Sequence, residues 1–273
     1  MMTAILSLGA VALVAALILG WASRKFAVVI DKRETEIVAI LPGANCGACG
    51  FAGCASYAAA IVAGQAKLNR CCLGGNDMIV RIAAVMHMDA HPPLPQKALV
   101  LCRGDNRVTV MKYRYLGLRD CNAAQLLADG PKQCPDGCLG LGSCAAACPF
   151  GAIEITVGDL AVVHHERCVG CGRCAAACPR QVIALVPVSA MVHVLCRSHA
   201  KGAQVRRYCD TGCLGCGLCK KAVPEAYVIE RFLARVDYDH ADQAAQAVAV
   251  CPNHCIIDLA VHQLEKTEAQ ATL

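Results

Sequence analysis

Aromatic side chains are scarce in this 273-residue chain, with four Phe, six Tyr and one Trp making up four per cent of it. Their scarcity argues against a large core close-packed on rings. Ala, Val, Leu and Cys supply most of an apolar share of 56%. Small modules, each organised around an inorganic centre, fit that composition better. Nucleotide loops are missing too: the stretch GLGSCA, 140–145, has the letters of a G-x-G-x-x-A loop but no strand–helix context, and its cysteine explains it better. No Ser/His/Asp or Cys/His nucleophile arrangement stands apart from the cysteine spacings. These absences point away from bond-making chemistry and toward a carrier of electrons.

Cysteine is abundant, at 22 residues. Cys168 to Pro179 reads CVGCGRCAAACP, which is C-x2-C-x2-C-x3-C-P. That spacing wraps three thiolates around one [4Fe–4S] cluster and sends the fourth to a neighbouring one. A disulfide framework needs neither Cys-Pro steps nor triplets at x2 spacing. Zinc ribbons bring two separated pairs rather than one run. The formal charge of +5 counts cysteine as neutral. With sixteen thiolates on four cluster cores of about +2 each, the balance becomes roughly −3, and no nucleic-acid partner is expected.

Thr3 to Ala22 carries no charge over twenty positions, enough for one helix to span a bilayer. Trp21 stands near its end, Arg24, Lys25, Lys32 and Arg33 follow, and no Lys or Arg precedes it. The positive-inside bias then puts the C-terminal side in the cytoplasm. A signal peptide would carry a basic n-region and a shorter apolar stretch. The run therefore predicts an uncleaved single-pass anchor in the cell inner membrane, with the remainder on the cytoplasmic side.

Beyond it, Cys46, Cys49 and Cys54 fall among glycines, which let a backbone turn tightly around a cluster. Helix formers follow from Ala55 to Ala66, and one of Cys71 and Cys72 can close a four-thiolate site. The N-terminal run, C-x2-C-x4-C-x16-C, YAAAI and LNRCCLGG together resemble RnfB, the B subunit of the Rnf ion-translocating oxidoreductases. The resemblance maps the fourth ligand to Cys71, leaves Cys72 buried or spare, and meets Leu73 where the family usually has Pro. It continues through CRG and DCNAAQLL, where Cys102 and Cys121 sit off any cluster spacing and read as packing.

Two ferredoxin halves follow. The first has Cys138, Cys144 and Cys148-Pro149, with Leu141 in place of the middle cysteine. Cys134, four residues upstream of Cys138, is the natural replacement, a variant that RnfB-like chains often show. The second half is Cys168, Cys171, Cys174 and Cys178. Crossover then gives one cluster Cys134, Cys138, Cys144 and Cys178, and the other Cys148, Cys168, Cys171 and Cys174. A damaged copy comes next. Cys213, Cys216 and Cys219 precede Val223-Pro224, and Ala241, Ala244 and Ala247 precede Cys251-Pro252. Proline plus four, at Ile153, Ile183, Val228 and Ile256, fixes this register. Under crossover all four ligands of one cluster are gone, with apolar side chains expected in its place, whereas Cys213, Cys216, Cys219 and Cys251 remain for the other. Cys255 reads as packing. Cys209 reads as a spare that could replace Cys216, and Cys196 is without a role.

The expected class is α+β: one N-terminal transmembrane helix, a small four-Cys iron–sulfur domain and tandem bacterial-type ferredoxin-like modules. The boundaries are an anchor at 1–24, a linker at 25–40, the four-Cys domain at 41–76 and a linker at 77–97. A connecting α/β segment follows at 98–133, a two-cluster ferredoxin domain at 134–187 and a connector at 188–208. A one-cluster domain at 209–260 and a tail at 261–273 complete the chain. Four [4Fe–4S] clusters are predicted. The resemblance implies electrons from soluble ferredoxin, relayed toward membrane and flavin-bearing subunits and NAD+, with Na+ or H+ transport coupled to the flow. A membrane reducing system for an iron–sulfur regulator, or an adaptor for a hydrogenase or dehydrogenase, is the alternative.

Overall fold

The computed structural model describes residues 2–26 and 31–260, so the expected tail at 261–273 lies outside the described residues. Helix formers dominate the start of the chain, and α1 spans Met2–Lys25. Among the described residues, however, no helix is long and apolar enough to cross a membrane. The expected single-pass anchor is corrected accordingly, together with the topology drawn from it. Half of Thr3–Ala22 is Ala, Gly, Ser or Thr, small residues that contribute little apolar area each. Helix propensity, which the Ala- and Leu-rich run has, is a separate property from the transfer free energy that would hold it in lipid.

Three helices form the first core. Asp31 caps α2 (Lys32–Ile40) by accepting the Arg33 N–H at 2.9 Å, and α3 (Cys54–Val62) and α4 (Gly75–Met86) pack against it. Ile37, Tyr57, Ile61, Met78, Ile79 and Ile82 are buried together. Segments 25–40 and 77–97 stand as linkers between the expected domains, with a short helix expected only at 77–88. Helices occupy parts of both because Ile37 on α2, and Met78, Ile79, Ile82 and Ala83 on α4, supply apolar faces at helical spacing.

The next module runs β1 (Gln96–Val100), α5 (Cys121–Leu126), α6 (Ser143–Ala146), β2 (Ile153–Ile155), β3 (Ala161–Val163), α7 (Arg173–Ala176) and β4 (Ile183–Pro187). β2 and β3 form a hairpin, and β1 pairs antiparallel with β4. A further module repeats the plan with β5 (Val192–Val194), α8 (Gly202–Tyr208), α9 (Leu218–Ala222), β6 (Tyr227–Glu230), β7 (Leu233–Val236), a 3-10 helix (Tyr238–Ala247) and β8 (Ile256–Asp258). Here β6 and β7 form the hairpin, and β5 pairs with β8. The correspondence extends to single bonds. Val100 faces Ile183 and Val194 faces Ile256. The next amide along, of Leu101 or Leu195, donates at 2.7 Å to the carbonyl of Val182 or Cys255.

The modules meet along the extended segment 108–112. Thr109 bridges to Cys209 on one side, and Met111 bridges to Lys132 on the other. Val110 N–H donates to Tyr208 O at 2.9 Å, while Gln133 N–H donates to Val110 O at 2.9 Å.

In the second module the four positions without cysteine are not equally enclosed. Val223, Ala244 and Ala247 are buried with Tyr227, whose hydroxyl donates to Ala244 O at 2.9 Å, while Ala241 stays partly exposed. The Tyr227 ring is thus a core element, and Tyr227→Ala is expected to lower this module's stability by about 3–5 kcal/mol. Tyr227→Phe, which removes only the hydrogen bond, should cost about 1 kcal/mol. Urea unfolding of the holoprotein followed by circular dichroism measures both, and equal losses for the two variants would contradict the packing role.

Candidate metal centres

In the N-terminal domain a cavity of about 350 Å³ is lined by Cys46, Cys49, Cys54, Cys71 and Cys72. Asn45, held at a φ of 45°, accepts the Cys54 N–H on Oδ1 at 2.8 Å and so ties the start of α3 to the glycine-rich loop. Tyr57, deep in the three-helix core, donates its hydroxyl to Lys67 O at 2.8 Å and accepts the Arg70 N–H at 3.1 Å. These bonds return the chain to the cavity and place Cys71 there, although a whole helix separates it from Cys54. Burial raises the Cys71 thiol, and pushes Cys72 up to about 11.

The first ferredoxin module holds two cavities. One, of about 310 Å³, is lined by Cys148, Cys168, Cys171 and Cys174, one cysteine from the first half and three from the second. Amides point at its sulfurs: Ala98 N–H reaches Cys168 Sγ at 3.3 Å, and Ala152 N–H reaches Cys148 Sγ at 3.4 Å. Gly170, at φ +70°, lets β1 lie against this loop, since a Cβ there would stand 2.2 Å from Gln96 O.

The other cavity, of about 340 Å³, is lined by Cys138, Cys144 and Cys178 together with Cys121. Cys134, expected in that place, lies elsewhere. Asp120 caps α5 through the Ala123 N–H at 2.7 Å and accepts the Ser143 hydroxyl at 2.8 Å, and Ser143 Oγ takes the Cys121 N–H at 2.6 Å. This linkage sets Cys121 beside Cys144, at the gap that Leu141 leaves. Buried Arg180 donates to the carbonyls of Cys134 at 2.6 Å and Gly137 at 3.0 Å. The Cys134 side chain lines a different cavity, with Cys102, Cys196 and Cys209. Cys121, whose role the sequence leaves open with packing favoured, is the fourth cysteine lining this cavity.

In the second module a cavity of about 360 Å³ is lined by Cys213, Cys216, Cys219, Cys251 and Cys255. Cys209 is not among them. Cys255 Sγ lies 3.5 Å from Cys251 Sγ. The contact among these sulfurs raises the Cys255 thiol and lowers Cys213 and Cys251.

Elsewhere burial dominates. It pushes Cys144 up to about 12, and Cys138, Cys174 and Cys219 to about 11. Thiols so raised keep their protons at neutral pH unless a cationic centre replaces them, as metal coordination does. Among the described residues no three His, Cys, Asp or Glu side chains gather about a single metal ion. The thiols stand around cavities instead, a donor set that fits a centre of several metal atoms.

Cysteine quartets lining cavities, carried on a two-half ferredoxin fold, define an iron–sulfur electron-transfer protein. A family model described as "4Fe-4S binding domain" matches residues 161–184, and one described as "Putative Fe-S cluster" matches residues 41–73. The B subunit of the ion-translocating oxidoreductase complex of Methanosarcina acetivorans is 39% identical, over 86% of this chain and 89% of its own. The B subunit of the Na(+)-translocating ferredoxin:NAD(+) oxidoreductase complex of Acetobacterium woodii is 39% identical, over 91% and 75%. Its counterpart in the proton-translocating complex of Clostridium ljungdahlii is 38% identical, over 96% and 95%. The chain belongs to the family formed by the B subunits of ion-translocating oxidoreductase complexes, the RnfB family.

The close approach at Gly170 yields a direct test. Gly170→Ala drives a methyl group into the β1 backbone and is expected to remove at least about four irons per chain, read by iron assay of anaerobically purified protein. An unchanged iron content would contradict the role given to that contact.

Proposed function

We propose that the chain is the electron-relay subunit of an Rnf-type complex, taking electrons from reduced ferredoxin toward flavin-bearing subunits and NAD+ while the complex moves Na+ or H+. Four [4Fe–4S] clusters would be held by Cys46/Cys49/Cys54/Cys71, Cys148/Cys168/Cys171/Cys174, Cys121/Cys138/Cys144/Cys178 and Cys213/Cys216/Cys219/Cys251. When bound, such clusters supply one-electron chemistry at potentials set by hydrogen bonding and exposure. The chain's part is to fix the sulfurs, exclude water and aim amides such as those of Ala98 and Ala152 at them. It reaches the membrane by assembly with the other subunits of the complex.

One observation carries this reading: three quartets each gather cysteines from separated stretches of chain around a cavity of their own, and the crossing of Cys148 and Cys178 joins two of them. Cys171→Ala is expected to abolish ferredoxin-dependent NAD+ reduction in membrane vesicles carrying the whole complex. Reduction at the rate of the unmodified complex would contradict a relay through that site.

A further inference from the structure

Four cysteines remain together outside those sites. Cys102, Cys134, Cys196 and Cys209 line a cavity of about 300 Å³ at the seam between the two ferredoxin modules, close in size to the other four. They are equivalent in pairs. Cys102 and Cys196 each stand two residues past the strand that pairs with the closing strand of their module. Cys134 and Cys209 each stand four residues before the first cysteine of a C-L-G turn, at Cys138 and Cys213. Amides repeat the same relation. Cys138 N–H donates to Cys102 Sγ at 3.4 Å, and the backbone amide of Cys213 acts on the Cys196 sulfur in the same way.

Among the described residues, two side chains at the seam are incompletely satisfied: Lys132 has no acidic partner, and the Thr109 hydroxyl has no hydrogen-bond partner. Lys132 is 1% exposed and makes no salt bridge among the described residues; its ammonium donates to Gly104 O at 2.8 Å and Asp159 O at 3.2 Å. Its charge acts on Cys102 and Cys138. A buried ammonium bonded only to carbonyls calls for negative charge nearby. Thr109 Oγ1 is buried without a hydrogen-bond partner among the described residues. A Cβ placed on Gly104 would stand 2.6 Å from that oxygen, 3.4 Å from Cys209 Sγ and 3.6 Å from Cys102 Sγ. The orphan hydroxyl thus stands beside two of the four sulfurs, where a bound anionic centre would give it an acceptor.

We propose that Cys102, Cys134, Cys196 and Cys209 hold a fifth [4Fe–4S] cluster, two ligands from each module. Its neighbours are the sites containing Cys138 and Cys213, each one backbone amide away from a seam sulfur. An electron received from one neighbour leaves to the other, so that one neighbour is oxidised and the other reduced by a single electron, with no net change at the seam. The proposal rests on the reading that the other quartets hold clusters of this kind.

The test uses the full chain, reconstituted anaerobically with ferrous iron and sulfide, with iron, zinc and acid-labile sulfide counted. About twenty irons per chain are expected from five [4Fe–4S] centres. Cys102→Ala/Cys196→Ala should retain about sixteen with the remaining EPR signals intact. Cys213→Ala/Cys251→Ala should also lose about four irons and serves as the control for the four-cluster reading. Loss in the control with none in the seam variant overturns the fifth site alone, and no loss in the control is a failure of the underlying reading. One zinc with about sixteen irons in the unmodified chain also overturns the seam cluster. If the seam variant does not fold, the count in the unmodified chain decides: about twenty supports the site, and about sixteen overturns it.

Discussion

A buried thiol resists losing its proton, and the folded chain depends on centres that make the loss favourable. Desolvation holds Cys144, Cys174 and Cys219 well above the ordinary thiol range. The protein cores around them are small: three helices in the first domain and short paired strands in the next two. Because so few side chains are aromatic, much of each module's organisation comes from bringing four sulfurs to one place, and metal binding at such sites is folding free energy.

Positioning those sulfurs falls to a few polar contacts whose partners are distant in sequence. Tyr57 fastens the loop that carries Cys71. Asp120 and Ser143 set Cys121 beside Cys144. Arg180 holds the Cys134 turn by its carbonyls and so directs that side chain toward the seam. These contacts, rather than the spacing of the cysteines, decide which quartet each one joins.

Much of the site is legible in the amino-acid sequence. The crossover motif groups Cys148 with Cys168, Cys171 and Cys174, and the repeat register aligns Ile183 with Ile256. Cys134 and Cys121 show where spacing runs out. Cys134 is nearest to Cys138 in the chain, but Cys121 is nearest to the vacant position in space, and only the capping of α5 reveals it. A signal is present nonetheless: Cys209 is the repeat equivalent of Cys134, and the second module has a full quartet without it. The N-terminal run shows the opposite failure, since its composition dictates a helix but not the medium around it.

The structure therefore orders the chain as a series of thiol quartets, with a single amide, that of Cys138, reaching from one group of sulfurs to Cys102 of another. The central claim is that fold topology, not sequence proximity, assigns cysteines to centres. Diffraction at the iron absorption edge from anaerobic crystals of the holoprotein tests it most directly. The expected map places Cys121 on the same iron centre as Cys138, Cys144 and Cys178, with Cys134 on a separate one. A map joining Cys134 to the centre held by Cys138 and Cys178, with Cys121 free of iron, would contradict it.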